Sequence, residues 1–117
     1  MANFLLLLHS DPSRRPTNMN PEYFASVTRE YMDWADSMRA QGALKGANRL
    51  TNDAGKVIQA ANGKITTTDG PYAESKEIVG GYFMISAGNY AEACRLAEGC
   101  PHVKYGSFIE VRQVMEL

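Results

Sequence analysis

Three features of the sequence predict an α+β fold, with an antiparallel sheet and two helices on one of its faces. The first is the order of candidate elements: strand, helix, several strands, helix, strand. The second is a pair of uncharged apolar runs, Phe4-Leu5-Leu6-Leu7-Leu8, apolar on both faces and so interior to a sheet, and Tyr82-Phe83-Met84-Ile85, as expected of a strand buried on both faces. The third is apolar spacing of three and four residues in two intervening segments, which a helix turns into one continuous face. This order is the split β-α-β pattern of a ferredoxin-like domain.

Each element has its own local signature. Phe4 to His9 forms the first strand, with His9 at its end. Ser10 to Asn18 is a loop carrying the adjacent Arg14 and Arg15. Asn20, Pro21 and Glu22 start a helix: a capping side chain, a proline that loses no needed donor, and an acid at the positive end of the dipole. Phe24, Val27, Tyr31, Trp34 and Met38 mark its apolar face, which reads as core rather than as a ligand box, and Gly42 closes it. Ala43 to Leu50 contains Lys45, Gly46 and Arg49 and therefore suits an edge strand. Asn62-Gly63 is a hairpin dipeptide between Lys56–Ala60 and Lys64–Thr68. Asn89 with Glu92 starts the second helix, and Gly99 and Pro101 end it. In the last strand, Gly106 to Met115, Ile109 and Val111 point one way while Phe108, Glu110, Arg112 and Val114 point the other.

The whole chain sets bounds on function. Its 117 residues form one domain, with 44% apolar and 21% charged residues as in ordinary globular proteins. A net charge of -1 provides no field for nucleic acid or an anionic membrane. The run from Phe4 to Leu8 is too short for a membrane span or secretory signal, so a cytoplasmic location is expected. Cys94 and Cys100 fit no metal or redox motif and read as reduced structural thiols. The two histidines, His9 and His102, lack zinc-site spacing, and Gly80-Gly81 suits a bulge or close backbone approach rather than a phosphate loop. No metal or cofactor is expected.

The stretch from Thr68 to Ile85 organises the rest. Asp69-Gly70-Pro71 forces a change of direction, Glu74, Lys76 and Glu77 follow, and Tyr82 opens the buried strand. Asp69 to Tyr82 resembles the Asp-Gly-Pro-Phe-Ala-Glu-Thr-Lys-Glu signature of the YCII-related, DGPF-type family, with its Gly-Gly-Tyr continuation. Cys100-Pro101-His102 and Ser107 to Arg112 resemble that family's ending, and Phe4 to Leu8 its opening strand. Tyr72, Ser75 and Gln113 depart from the pattern, which has Phe, Thr and Pro there. The resemblance implies a dimeric α/β-barrel assembly, and a His/Asp site proposed for the YCII-like relatives.

From these residues follow the candidate site and partner. Two helices cover only one sheet face, and the apolar side chains of the other call for a second copy, giving a two-fold homodimer. The competing arrangement is a monomer whose hairpin folds over that face. The resemblance implies that the end of the first strand lies near the Asp-bearing loop, which makes Asp69 and His9 the candidate acid/base pair, a carboxylate fixing an imidazole's tautomer; His102 reads as a loop residue. Arg112 oriented by Glu110, with Glu74, Lys76 and Tyr82, are candidate ligand-binding residues, although Glu110 and Arg112 also suit a structural pair. The expected function is cofactor-independent acid/base chemistry on a small carbonyl or carboxylate compound. The alternative is a non-catalytic small-molecule-binding or regulatory accessory protein.

Overall fold

The structure is a computed structural model that describes residues 1–11, 20–70 and 78–117. The described elements are β1 (Ala2–Ser10), α1 (Pro21–Ala40), β2 (Leu44–Arg49), β3 (Lys56–Ala61), β4 (Lys64–Asp69), β5 (Ile78–Ala87), α2 (Tyr90–Ala97), α3 (His102–Tyr105) and β6 (Phe108–Gln113). Strands β2, β5, β1 and β6 form an open antiparallel sheet in that order, and β3 and β4 form a separate two-stranded sheet. Without the hairpin, this is the ferredoxin-like order expected for split β-α-β units. The Lys- and Arg-bearing β2 lies on an edge, while the apolar β1 and β5 lie inside.

Alternation along the strands divides the sheet into two unlike faces. Phe4, Leu6 and Leu8 of β1 and Phe83 and Ile85 of β5 are buried under the helices, together with Met38, Ala93 and Ala97. Trp34 meets Phe83 edge to face at 4.9 Å, and its indole N–H donates to the Leu96 carbonyl, 3.3 Å. Leu5, Leu7, Tyr82 and Met84 point the opposite way and are only half-buried. The uncharged run of β5 is thus interior to the sheet but fully buried on one face only. Along α1 the apolar stripe sinks progressively, from 46% exposure at Phe24 to 2% at Met38.

Helix ends follow their local chemistry. Asn20 Oδ1 accepts the Tyr23 N–H at 2.8 Å, and Gly42, with φ 73°, turns the chain out of α1. At α2, Asn89 Oδ1 accepts the Glu92 N–H while the Glu92 carboxylate accepts from Gly88 N–H. The α3 helix is an addition to the expected elements, a single turn after Pro101.

The hairpin stands apart from the sheet. Asn62 and Gly63 both have positive φ, as a two-residue turn requires. Every residue of β3 and β4 except Val57 is exposed, with Ile58 at 69% and Ile65 at 78%, so the hairpin does not fold over the open face. The radius of gyration, 16.3 Å, exceeds the value of about 13 Å for a compact chain of this length. At its base, Gly70 N–H donates to the Gly55 carbonyl, 3.0 Å, and an added Cβ on Gly70 would run into the Ala54 carbonyl. Gly at that position is a steric requirement.

Candidate functional site

The open face of the sheet gathers the polar groups. Register sets them in rows across four strands: Asn48, Tyr82, Leu7 and Glu110 form one, and Gly46, Met84, Leu5 and Arg112 the next. His9 lies opposite Phe108, one step beyond Glu110 on the same face. Its approach from β1 is shaped by a bulge, because Leu8 pairs with Gly81 and His9 with Val79, leaving Gly80 as the extra residue. Gly81 meets a different constraint: a Cβ there would lie 2.8 Å from the Asn48 carbonyl oxygen.

Glu110 joins two of the candidate residues. Its Oε1 lies 3.0 Å from His9 Nε2, and its Oε2 accepts from Arg112 Nη1 at 3.1 Å. The Arg112 guanidinium, then the His9 ring, hold the Glu110 carboxyl below its usual range, so it is ionised at neutral pH. An ionised carboxylate only accepts, so the proton in the His9 contact sits on Nε2 and leaves Nδ1 with its lone pair. The His9 ring also stacks on Phe108 at 4.4 Å and an interplanar angle of 15°. Side-chain exposure is 17% for His9, 37% for Glu110 and 67% for Arg112, a gradient from a sheltered imidazole to an accessible cation.

The His9 main chain is fixed as well. Its carbonyl accepts from Ser107 N–H at 3.0 Å and from His102 Nε2 at 2.7 Å. A carbonyl takes only donors, so His102 is the Nε2–H tautomer, and its Nδ1 accepts the Tyr31 hydroxyl at 2.9 Å. Burial lowers the His102 pKa and pushes the Tyr31 hydroxyl up to about 12. His102, expected as a loop residue, is therefore buried and ties α1 and α3 to the end of β1. Below this cluster, Glu30 of α1 accepts from Lys104 Nζ at 3.2 Å and from the Tyr105 hydroxyl.

Asp69 lies elsewhere. It ends β4, opposite Lys56, whose Nζ donates to it at 2.6 Å with both side chains largely exposed. Among the described residues, the carboxylate in contact with His9 is Glu110, and Asp69 is engaged by Lys56. Tyr82 sits on the open face, where its hydroxyl accepts from Asn48 Nδ2 at 2.8 Å. Glu74 and Lys76 lie outside the described residues. Asn48 had not been singled out from the sequence; its place opposite Tyr82 follows only from the β2–β5 register.

Among the described residues, no group of three His, Cys, Asp or Glu side chains is arranged to hold a metal ion, and no helix is long and apolar enough to cross a membrane. Cys94 and Cys100 are free thiols; burial raises the pKa of Cys100, keeping it protonated and unreactive.

Strand order, one-sided helices and a polar cluster on the uncovered sheet face define a ferredoxin-like α+β protein. The family model of the YCII-related domain matches residues 3–117, and the chain belongs to that family. No curated protein matches it.

Proposed function

We propose that this YCII-related protein is a small cofactor-independent enzyme that moves a proton on a carbonyl or carboxylate compound bound over the open sheet face. The observation that carries the reading is the double engagement of Glu110, by His9 through one oxygen and by Arg112 through the other. Glu110 fixes the His9 tautomer and balances the imidazolium formed when Nδ1 accepts a proton. Arg112 has donors to spare and is exposed enough to meet an anionic group. In this reading Glu110 fills the carboxylate role that the family resemblance suggests for Asp69.

A two-fold homodimer completes the cavity. Half-buried Leu5, Leu7 and Met84, with Phe108 at 45% exposure, present an apolar face that a second copy would cover. The uncovered hairpin, with Ile58 and Ile65 outward, supports association of the same kind.

Hydrogen–deuterium exchange at carbon tests the chemistry. In heavy water with a panel of small oxo acids, the protein is expected to accelerate loss of the C–H signal next to the carbonyl of at least one of them. His9→Gln should lower that rate by about 10²-fold or more. Exchange no faster than buffer across the panel, or equal exchange in His9→Gln, contradicts the proposal.

A further inference from the structure

The polar groups of the open face fall into two clusters separated by an apolar floor. On one side stand His9, Glu110 and Arg112; on the other, Asn48 and Tyr82; Leu7, Leu5 and Met84 lie between or beside them. Tyr82 and Glu110 occupy the same row on strands two apart. Asn48 donates to the Tyr82 oxygen, which leaves the Tyr82 hydroxyl proton directed away from that bond and without an acceptor among the described residues. A hydroxyl that accepts a hydrogen bond becomes a better donor of its own proton.

We propose that Tyr82, held by Asn48, donates to the carbonyl oxygen of a ligand whose carboxylate rests on Arg112. The site would therefore take a linear oxo acid with its two functional groups two or three methylenes apart. This rests on the reading of the open face as the site of chemistry. The length comes from sheet geometry. Two strand spacings and the one-row offset between Tyr82 and Arg112 together span about 12 Å, and one hydrogen bond of about 3 Å at each end leaves roughly 6 Å between the ligand's oxygens. The carbon chain then crosses β1 between Leu7 and Leu5, with its carbonyl end on the Leu7 side, two residues along β1 from His9 and on the same face. The C–H bond next to the carbonyl breaks, the proton goes to His9 Nδ1, and the electron pair moves to the carbonyl oxygen, where the Tyr82 O–H meets the developing charge. The reverse transfer regenerates the carbonyl compound or its isomer.

Binding measured by NMR on the full ¹⁵N-labelled chain tests the inference with four probes: 4-oxopentanoate, 5-oxohexanoate, pentanoate and pyruvate. The first two are expected to bind about five- to tenfold more tightly than pentanoate, with shifts at Tyr82 and Arg112, and pyruvate is expected to lack that advantage. Tyr82→Phe should erase the advantage while leaving pentanoate affinity in place, Asn48→Ala should reduce it, and Arg112→Gln should weaken all four. Pentanoate binding at Arg112 with no preference for the longer oxo acids, or a preference that survives Tyr82→Phe, overturns this inference alone. Failure of every probe to perturb the open face overturns it together with the reading of that face as the site.

Discussion

Removing one oxygen atom from Tyr31 tests how His9 is held. Tyr31→Phe keeps the ring on α1 but deletes the hydroxyl that donates to His102 Nδ1 at 2.9 Å. His102 is only 5% exposed, so its Nδ1 lone pair would lose its partner in a place water reaches poorly. An unsatisfied buried acceptor costs about 1–3 kcal/mol, and because Tyr31 itself is half-buried the lower part of that range, about 1–2 kcal/mol, is expected. With a urea m-value of about 2 kcal/mol/M, the middle of the usual range, the unfolding midpoint should fall by about 0.5–1 M with the slope unchanged. The variant should also perturb the His9 and Ser107 amide signals, since both share the His9 carbonyl region with His102 Nε2. An unchanged midpoint together with unmoved His9 signals would show that the Tyr31–His102–His9 chain of contacts carries neither stability nor position.

Three further outcomes follow from the same geometry. Burial keeps folded His102 neutral below the usual imidazole value of about 6.5, so the unfolded chain takes up its proton first. Its contribution is fully present above about pH 6.5 and is lost as pH falls below it, at up to about 1.4 kcal/mol per pH unit. Denaturation midpoints measured from about pH 7 to pH 5.5 should decline in the parent and decline less in His102→Gln, and parallel declines count against it. Gly106→Ala places a Cβ on the His102 ring although the backbone there is extended and tolerates alanine. Calorimetry should register a loss of about 2–4 kcal/mol, and no loss would mean that the ring yields freely. Sedimentation equilibrium at micromolar concentration should report twice the 12.9 kDa chain mass; a clean monomer rejects the shared cavity.

What could be read from the sequence was whatever depends on short-range periodicity. Period-two alternation was enough to put Glu110 and Arg112 on one face and Ile109 and Val111 on the other. The edge placement of β2 followed from its charges. Counting outward from the Asn62-Gly63 turn even places Lys56 opposite Asp69, the pair that occupies that carboxylate. Contacts set by long-range register were not legible. His9 meets Glu110 across 101 positions, and His102 meets Tyr31 across 71, with no local pattern linking either pair. His102 was misread because α3 is a single turn of four residues, too short to show a helical apolar repeat. The uncharged β5 run suggested burial on both faces, yet only one is covered within a single chain, a distinction that depends on what packs against the sheet.

The most direct test of the account is the tautomer of His9, read from its ring ¹⁵N signals in mildly alkaline buffer. Hydrogen bonding to ionised Glu110 should hold it as Nε2–H, with the lone pair on Nδ1, and Glu110→Ala should convert it to a mixture. A His9 ring protonated at Nδ1 in the parent, or a tautomer indifferent to Glu110→Ala, would contradict the claim that Glu110 arms His9 as a base.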